Sequence, residues 1–231
     1  MTPLLRVRRL APLLIILLMA TGRLPGQAIS GRAVIATPRS SVRVGGVTYR
    51  VDGVWAGAAL DFHVGRFTLS GTGMRGKLTP AQAGTTPKRD VGEVSLDGQY
   101  EFRSWLRFEL RYAARAFSSA AGYQRWDMAS VGATASRNLG TPAVRAFVSL
   151  AYLPLVRVRD QQRPTFALGS DVGIALLPMR SPIAVQLDYR IEHFKFPAAS
   201  ARSEQFEAFT LLVGMRMRRV GGRWTLGSVG K

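Results

Sequence analysis

The sequence of 231 residues contains no cysteine. This absence excludes a disulfide framework, thiolate zinc sites, cysteine nucleophiles and a lipidated N-terminal cysteine. Acidic residues are also scarce, since 14 Asp and Glu face 32 Lys and Arg, for a formal net charge of +18. Such a charge is typical of proteins that bind nucleic acid. The hydrophobic content of 47%, however, is high for a simple polyanion binder and argues against disorder.

Long apolar runs are scarce as well. The clearest one, Leu10 to Ala20, is much shorter than the ~20 residues that a membrane-spanning helix needs. It follows three arginines and precedes small residues that end at Ala28, which is the layout of a secretory signal peptide. We therefore predict that residues 1–28 are removed on export. Their loss lowers the net charge to +14, because they contain four arginines and no acid, and an exported protein is not expected to bind nucleic acid.

After the signal peptide, the hydrophobic pattern has a period of two, which is typical of β-strands. From Gly92 to Phe102, an apolar face alternates with one that carries three acidic residues. From Trp105 to Phe117, an apolar face alternates with one that carries mostly arginines. Residues 183–192 repeat the alternation. The pattern predicts antiparallel hairpins with one apolar and one charged face.

Connections between these segments are predicted to alternate in length. Short ones fall at 65, 103–104, 138–142 and 178–182, and longer polar ones at 45–52, 78–89, 118–123, 156–164 and 196–205. Ten segments result, each long enough for the ~9 to 11 residues with which a tilted strand crosses a bilayer. Eight is the alternative number, because Pro38 interrupts the first segment. The predicted strands are 33–44, 53–64, 66–77, 90–102, 105–117, 124–137, 143–155, 165–177, 183–195 and 206–218.

Aromatic residues concentrate near the ends of the segments. Trp and Tyr favour the two interfaces of a bilayer, so this placement predicts two aromatic belts. The belt beside the short connections would contain Tyr100, Phe102 and Trp105. The belt beside the long ones would contain Tyr49, Trp55, Phe117, Tyr123, Trp126, Phe194, Phe196, Phe206 and Phe209.

Together, these patterns resemble the small outer-membrane β-barrel proteins of Gram-negative bacteria, either OmpA- and OmpX-like or ten-stranded. The resemblance covers residues 33–218 as architecture and includes no catalytic motif. It implies an all-β, antiparallel up-and-down transmembrane barrel over residues 29–218, a short periplasmic tail at 219–231, and location in the outer membrane. It also implies insertion by the barrel assembly machinery. Such barrels commonly end on an aromatic residue, whereas this chain continues to Lys231.

A barrel of eight to ten strands is narrow enough for side chains to fill its lumen. The alternation directs many charged residues inward, where we expect them to pair because an unpaired buried charge is costly. The alternative is a narrow polar passage for small solutes. We therefore expect a structural or restricted transport role. The predicted lumen charge network consists of Glu93, Asp97, Glu101, Arg107, Glu109, Arg111, Arg115, Arg145, Asp171, Asp188, Arg190, Glu192, Glu207 and Arg216.

Surplus positive charge falls in the long connections. Arg157, Arg159 and Arg163 lie close together in one of them and are predicted to contact an anionic glycolipid of the outer membrane. The alternative is that they only solubilise the loop.

No enzymatic activity and no cofactor are expected. His63 and His193 are predicted at opposite membrane faces, and a nucleophile, a base and an orienting group do not occur together. Carboxylates are not grouped for a metal ion either. The chain is expected to be a monomer. Two alternative functions stay open: a soluble periplasmic or secreted basic β protein, and an outer-membrane barrel enzyme acting as a protease or on lipids.

Overall fold

A computed structural model describes residues 27–81, 88–119, 122–159, 161–178, 181–220 and 223–226. The predicted signal peptide lies outside these residues, apart from its last two positions. No helix in the described ranges is long and apolar enough to cross a membrane. The strands are β1 (Gln27–Val44), β2 (Val47–Val64), β3 (Phe67–Pro80), β4 (Arg89–Arg103), β5 (Leu106–Ser119), β6 (Gly122–Leu139), β7 (Thr141–Val158), β8 (Phe166–Leu176), β9 (Ile183–Lys195), β10 (Arg202–Val220) and β11 (Arg223–Leu226).

Strands β1 to β10 form a closed antiparallel up-and-down barrel. Each pairs with its sequence neighbours, and β1 closes the ring by pairing with β10 from Ala28↔Arg218 to Val44↔Arg202. The short β11 pairs with the end of β10. The prediction of ten strands is confirmed, and the alternative of eight is wrong. Pro38 does not end β1, because the β1–β2 register is the same on both sides of it.

The connections define two ends of the barrel. We call the end after β1, β3, β5, β7 and β9 the loop end, and the end after β2, β4, β6, β8 and β10 the turn end. The predicted long connection at 45–52 is wrong, because Gly45 and Gly46 form a two-residue turn at positive φ of 56° and 88°. Glycine adopts these angles without strain, and tight hairpin turns require them. The predicted long connection at 118–123 is also wrong, because β5 extends to Ser119 and β6 begins at Gly122. The connection at 177–182 is longer than a tight turn, so connection lengths do not strictly alternate.

Glycines let β2 and β3 approach closely. A Cβ atom added at Gly76 would lie 2.0 Å from the Val54 carbonyl oxygen and 2.7 Å from Trp55 Cδ1. One added at Gly57 would lie 2.0 Å from the carbonyl oxygen of Gly73. The Trp55 ring therefore packs against a position that has no side chain, on the inner side of the barrel.

The outer surface carries a band of exposed apolar side chains. Leu150, in the middle of β7, is 68% exposed. Soluble monomers rarely expose apolar patches larger than a few hundred Å², whereas a bilayer requires an apolar outer wall. The band includes Ile35, Leu60, Val94, Leu96, Leu110, Val131, Leu150, Val172, Ile174, Leu187, Leu211 and Val213.

Replacing Leu150 by arginine is expected to lower the free energy of unfolding in lipid vesicles by about 2–4 kcal/mol, because a charge near the bilayer midplane is poorly solvated. The matched control is Leu139→Arg at the turn end of β6, where leucine is also exposed and the expected cost is about 0–1 kcal/mol. Urea titration followed by tryptophan fluorescence measures both. Equal small effects at the two positions would contradict a membrane-embedded wall.

Candidate functional site in the barrel lumen

A carboxylate with three arginine partners lies inside the barrel. Glu93 of β4 is only 2% exposed. Arg115 Nε donates a hydrogen bond to Glu93 Oε2 at 2.6 Å, and Arg111 Nη2 donates to Oε1 at 3.1 Å. Arg190 Nη2 donates to the same Oε1 at 3.3 Å. Desolvation of these groups is costly, and their pairing offsets part of that cost.

The contacts of Glu192 extend this group across the lumen. Arg115 on β5 donates through Nη2 to Glu192 Oε2 on β9 at 2.9 Å. Arg190 Nη1 lies 3.8 Å from Glu192 Oε1. Strands β5 and β9 are not neighbours in the barrel, so the contact ties opposite walls together. We call Glu93, Arg111, Arg115, Arg190 and Glu192 the Glu93 cluster.

Large aromatic side chains fill the lumen on the loop-end side of this cluster. We call Trp55, Trp126, Phe194, Phe196 and Phe206 the aromatic plug; all five are buried. The ring centroids of Trp55 and Phe206 are 5.4 Å apart, and those of Trp126 and Phe194 are 4.9 Å apart. These distances are typical of packed aromatic pairs. The plug thus forms a hydrophobic core within the barrel.

Arg115 connects the plug to the Glu93 cluster. Its guanidinium carbon lies 3.6 Å from the ring centroid of Phe206 and 5.9 Å from that of Trp55. A guanidinium over an aromatic face is attracted by the ring quadrupole. One arginine therefore binds two carboxylates and packs against the aromatic layer above them.

The predicted belt beside the long connections is wrong for most of its members. Trp55, Phe117, Trp126, Phe194, Phe196 and Phe206 are buried in the lumen. Their strand parity directs them inward, because they alternate with side chains on the outer wall. Tyr49, Tyr123 and Phe209 are exposed, as are Phe102 and Trp105 at the turn end.

Small cavities lie beside these layers. One of about 30 Å³ is lined by Glu109, Arg111, Asp171 and Arg190, among others. Another of about 10 Å³ lies against Arg115, Trp126 and Phe206. A water molecule needs about 10–15 Å³ of such volume, so the larger cavity has room for about two or three.

Polar contacts line the lumen towards the turn end. Arg32 Nη2 donates to Asp61 Oδ1 at 2.6 Å, and Ser30 Oγ donates to Asp61 Oδ2 at 3.0 Å. His63 Nδ1 lies 2.9 Å from Thr68 Oγ1. The sequence analysis missed the Arg32–Asp61 ion pair, because β1 was predicted to begin only at residue 33. The alternation of Asp61 and His63 with apolar residues in β2 was the available signal.

Most of the predicted lumen charges project inward. Those outside the Glu93 cluster contact nearby polar groups: Arg107 donates to Gln99 at 3.3 Å, and Arg145 donates to the Ser104 carbonyl at 3.1 Å. Glu109 accepts hydrogen bonds from Thr134 and Ser149. The inward positions by strand parity are Glu93, Asp97, Glu101, Arg107, Glu109, Arg111, Arg115, Arg145, Asp171, Asp188, Arg190 and Glu192, of which Glu101 is exposed at the rim.

Two members of the predicted network differ. Glu207 lies on the outer wall, contrary to the prediction, because the inward face of β10 is the one with Phe206 and Ala208. Its carboxylate accepts hydrogen bonds from Tyr189 Oη at 2.9 Å and from Gln205 Nε2 at 2.6 Å. The side chain of Arg216 lies outside the described part of the structure.

The remaining candidates lie apart from the lumen network. Arg157, Arg159 and Arg163 are exposed near the loop end, the first in β7 and the others in the connection that follows. His63 is near the turn end of β2 and His193 near the loop end of β9, where it is exposed. Among the described residues, no three His, Asp or Glu side chains are grouped so that they would hold a metal ion.

Comparisons with known proteins identify the fold but no family. No protein-family model matches the chain, and no curated protein matches it. Among solved structures, the translocator domain of the autotransporter NalP from Neisseria meningitidis is similar with a TM-score of 0.52 at 12% identity, covering 91% of this chain and 94% of that one. An outer membrane channel from Pseudomonas putida F1 is similar with a TM-score of 0.50 at 12% identity, covering 84% of this chain and 97% of that one. The chain has the fold of an outer-membrane β-barrel protein.

Proposed function

We propose that the protein is an integral outer-membrane barrel of a Gram-negative bacterium, exported by its signal peptide, which keeps its lumen closed. Its role is structural, with at most restricted passage of small solutes. The apolar outer wall supports the membrane location, because a soluble basic β protein would leave that wall in water. The fold shared with outer-membrane proteins supports it as well.

The main support for a closed lumen is that the aromatic plug and the Glu93 cluster follow one another along it. An ion entering from the loop end would meet buried rings such as Trp55 and Phe206. It would then meet arginines and carboxylates that are already paired with one another. Passage requires displacing packed side chains or separating buried ion pairs, and both are costly.

Restricted passage is the second candidate, and the cavity beside the Glu93 cluster favours it. Charged groups from Glu109, Arg111 and Asp171 line that cavity. Polar groups, including Ser30 and Thr134, line the lumen towards the turn end. A small polar solute would find hydrogen-bonding partners up to the cluster and would pass only if the plug moved.

A structural role implies no catalysis and no cofactor. His63 and His193 lie near opposite ends of the barrel and so do not share a site, which supports this proposal. An outer-membrane protease or lipid-modifying enzyme is therefore the less favoured alternative. We further propose a monomer that is inserted by the barrel assembly machinery and has no nucleic-acid partner.

Planar-bilayer recording tests the closed lumen. The purified protein, shown to be folded by a gel mobility that changes on boiling, is expected to give no steady channel current, because the plug fills the lumen. Brief small openings would favour restricted passage. A large, continuous conductance from the folded protein would contradict the closed state.

A further inference from the structure

Arginines are grouped on the outer wall at the loop end of β6 and β7. Asp127 lies opposite Arg157 in the β6–β7 register, and the Arg159 amide donates to the Arg125 carbonyl at 2.9 Å. Arg125 and Asp127 point outward, because the residues that alternate with them, Trp126 and Met128, are buried. Arg157 points outward for the same reason, since it lies between the buried Val156 and Val158. We call Arg125, Asp127, Arg157 and Arg159 the arginine patch.

The patch contains more positive than negative charge. Arg125 donates to Asp127 Oδ1 through Nε at 3.1 Å and Nη2 at 2.8 Å. Tyr112 Oη donates to the same oxygen at 3.0 Å. The only carboxylate of the patch is thus already engaged. Within the described ranges, the side chain of Arg157 has no hydrogen-bond or ion-pair partner.

A second polar group on the outer wall contains more negative than positive charge. On β1 and β2, Arg39 Nε donates to Asp52 Oδ1 at 2.8 Å. Glu207 of β10 lies opposite Arg39 on its other side, so two carboxylates flank a single guanidinium. The group of Arg39, Asp52 and Glu207 therefore lacks the surplus of positive charge that the arginine patch has.

Apolar side chains lie directly on the turn-end side of the patch. Leu155 is 58% exposed, and Tyr152 and Val131 are each 47% exposed. A ligand that fits this surface has an anionic head for the arginines and an apolar body for the wall beside them. Two adjacent strands and two residue rows span roughly 5 by 7 Å, an area that suits one phosphate group bound by guanidinium forks.

We infer that the arginine patch binds a phosphate of an anionic glycolipid whose acyl chains lie against the apolar band. This assignment rests on the proposed function and on the expected periplasmic tail at 219–231, which begins at the end of β10 and so directs the loop end towards the outer leaflet. Compared with the sequence prediction, Arg125 joins Arg157 and Arg159, which directly follows β7 and is hydrogen-bonded to β6 through its amide, whereas Arg163 lies farther along the connection and outside the patch.

Native mass spectrometry of the detergent-solubilised protein, titrated with lipid A, tests the inference. Arg125→Gln/Arg157→Gln is expected to weaken binding about 25-fold, because each arginine near an anionic lipid contributes about fivefold, or ~1 kcal/mol. The control is Arg137→Gln, an exposed arginine near the turn end of β6, which is expected to bind as the unaltered protein does. Asp127→Asn is expected to tighten binding about fivefold, since it removes the competing carboxylate.

Other results would overturn the inference. These are an unchanged affinity in the double variant, an equal loss in Arg137→Gln, or no gain in Asp127→Asn. Equal affinity for phosphatidylglycerol would overturn the glycolipid assignment. Gel mobility before and after boiling verifies that each variant is folded. Lipid binding is measured in detergent, so a negative result there does not bear on the proposed membrane location. Cell fractionation tests that location independently.

Discussion

Replacing Glu93 by alanine is expected to lower the free energy of unfolding in lipid vesicles by about 3–5 kcal/mol, the usual cost of removing one partner from a buried ion pair. The expectation is at the high end because Glu93 accepts hydrogen bonds from three guanidiniums. Without it, Glu192 is the nearest described carboxylate to Arg115 and Arg190, and the cluster keeps a surplus of positive charge. Urea titration followed by tryptophan fluorescence measures the change.

The matched control for this experiment is Glu101→Ala on the same strand. Glu101 lies at the exposed rim of the lumen, where a substitution is expected to change stability by no more than about 0.5 kcal/mol. Glu93→Gln keeps the oxygen acceptor but not the charge, so an intermediate loss is expected. If Glu93→Ala and Glu101→Ala were equally mild, the cluster would not stabilise the barrel.

Strand number and most strand bounds were predictable because charge marks one face of several strands. In β4 and β5, acids and arginines occupy alternate positions, and the register pairs Glu93 with Arg115 and Asp97 with Arg111. The first connection was mispredicted because the polar residues after Gly46 suggested a loop. They instead continue the β1–β2 hairpin, in which Arg43 pairs with Thr48. Backbone hydrogen bonding does not require apolar side chains, so hydropathy alone does not show where a strand with polar residues ends.

The closed lumen was harder to predict than the barrel. An aromatic residue near a strand end is compatible with a belt at the membrane interface and with a plug inside the barrel. Only the alternation along the strand, which decides whether the side chain points inward or outward, distinguishes the two. In β10, Glu204 points inward and Glu207 points outward. Charged residues therefore did not show which face of this strand lines the lumen, and Glu207 was assigned to the wrong face. The contact between Arg115 and Glu192 joins residues 77 apart in sequence, and it depends on the closure of the ring, which no local pattern contains.

Removing the centre of the aromatic plug is expected to open the barrel to ions. In Trp55→Ala/Phe206→Ala, two packed rings are lost together with the surface on which the Arg115 guanidinium lies. Each large-to-small change of a buried aromatic residue costs about 3–5 kcal/mol when it leaves a cavity, and a cavity beside charged groups fills with water. The variant is expected to show stepwise current in planar bilayers where the unaltered protein shows none.

Phe209→Ala provides the control on the same strand as Phe206. Phe209 is 47% exposed on the outer wall, so its loss removes a comparable aromatic group without opening the lumen, and no channel current is expected. Because Glu93 and Glu192 still bind Arg115 in the plug variant, the current is expected to be small. Adding Arg115→Ala then removes the guanidinium that ties β5 to β9 and is expected to increase the current further. A folded plug variant that stayed silent even with this third substitution would place the barrier to ions elsewhere in the lumen.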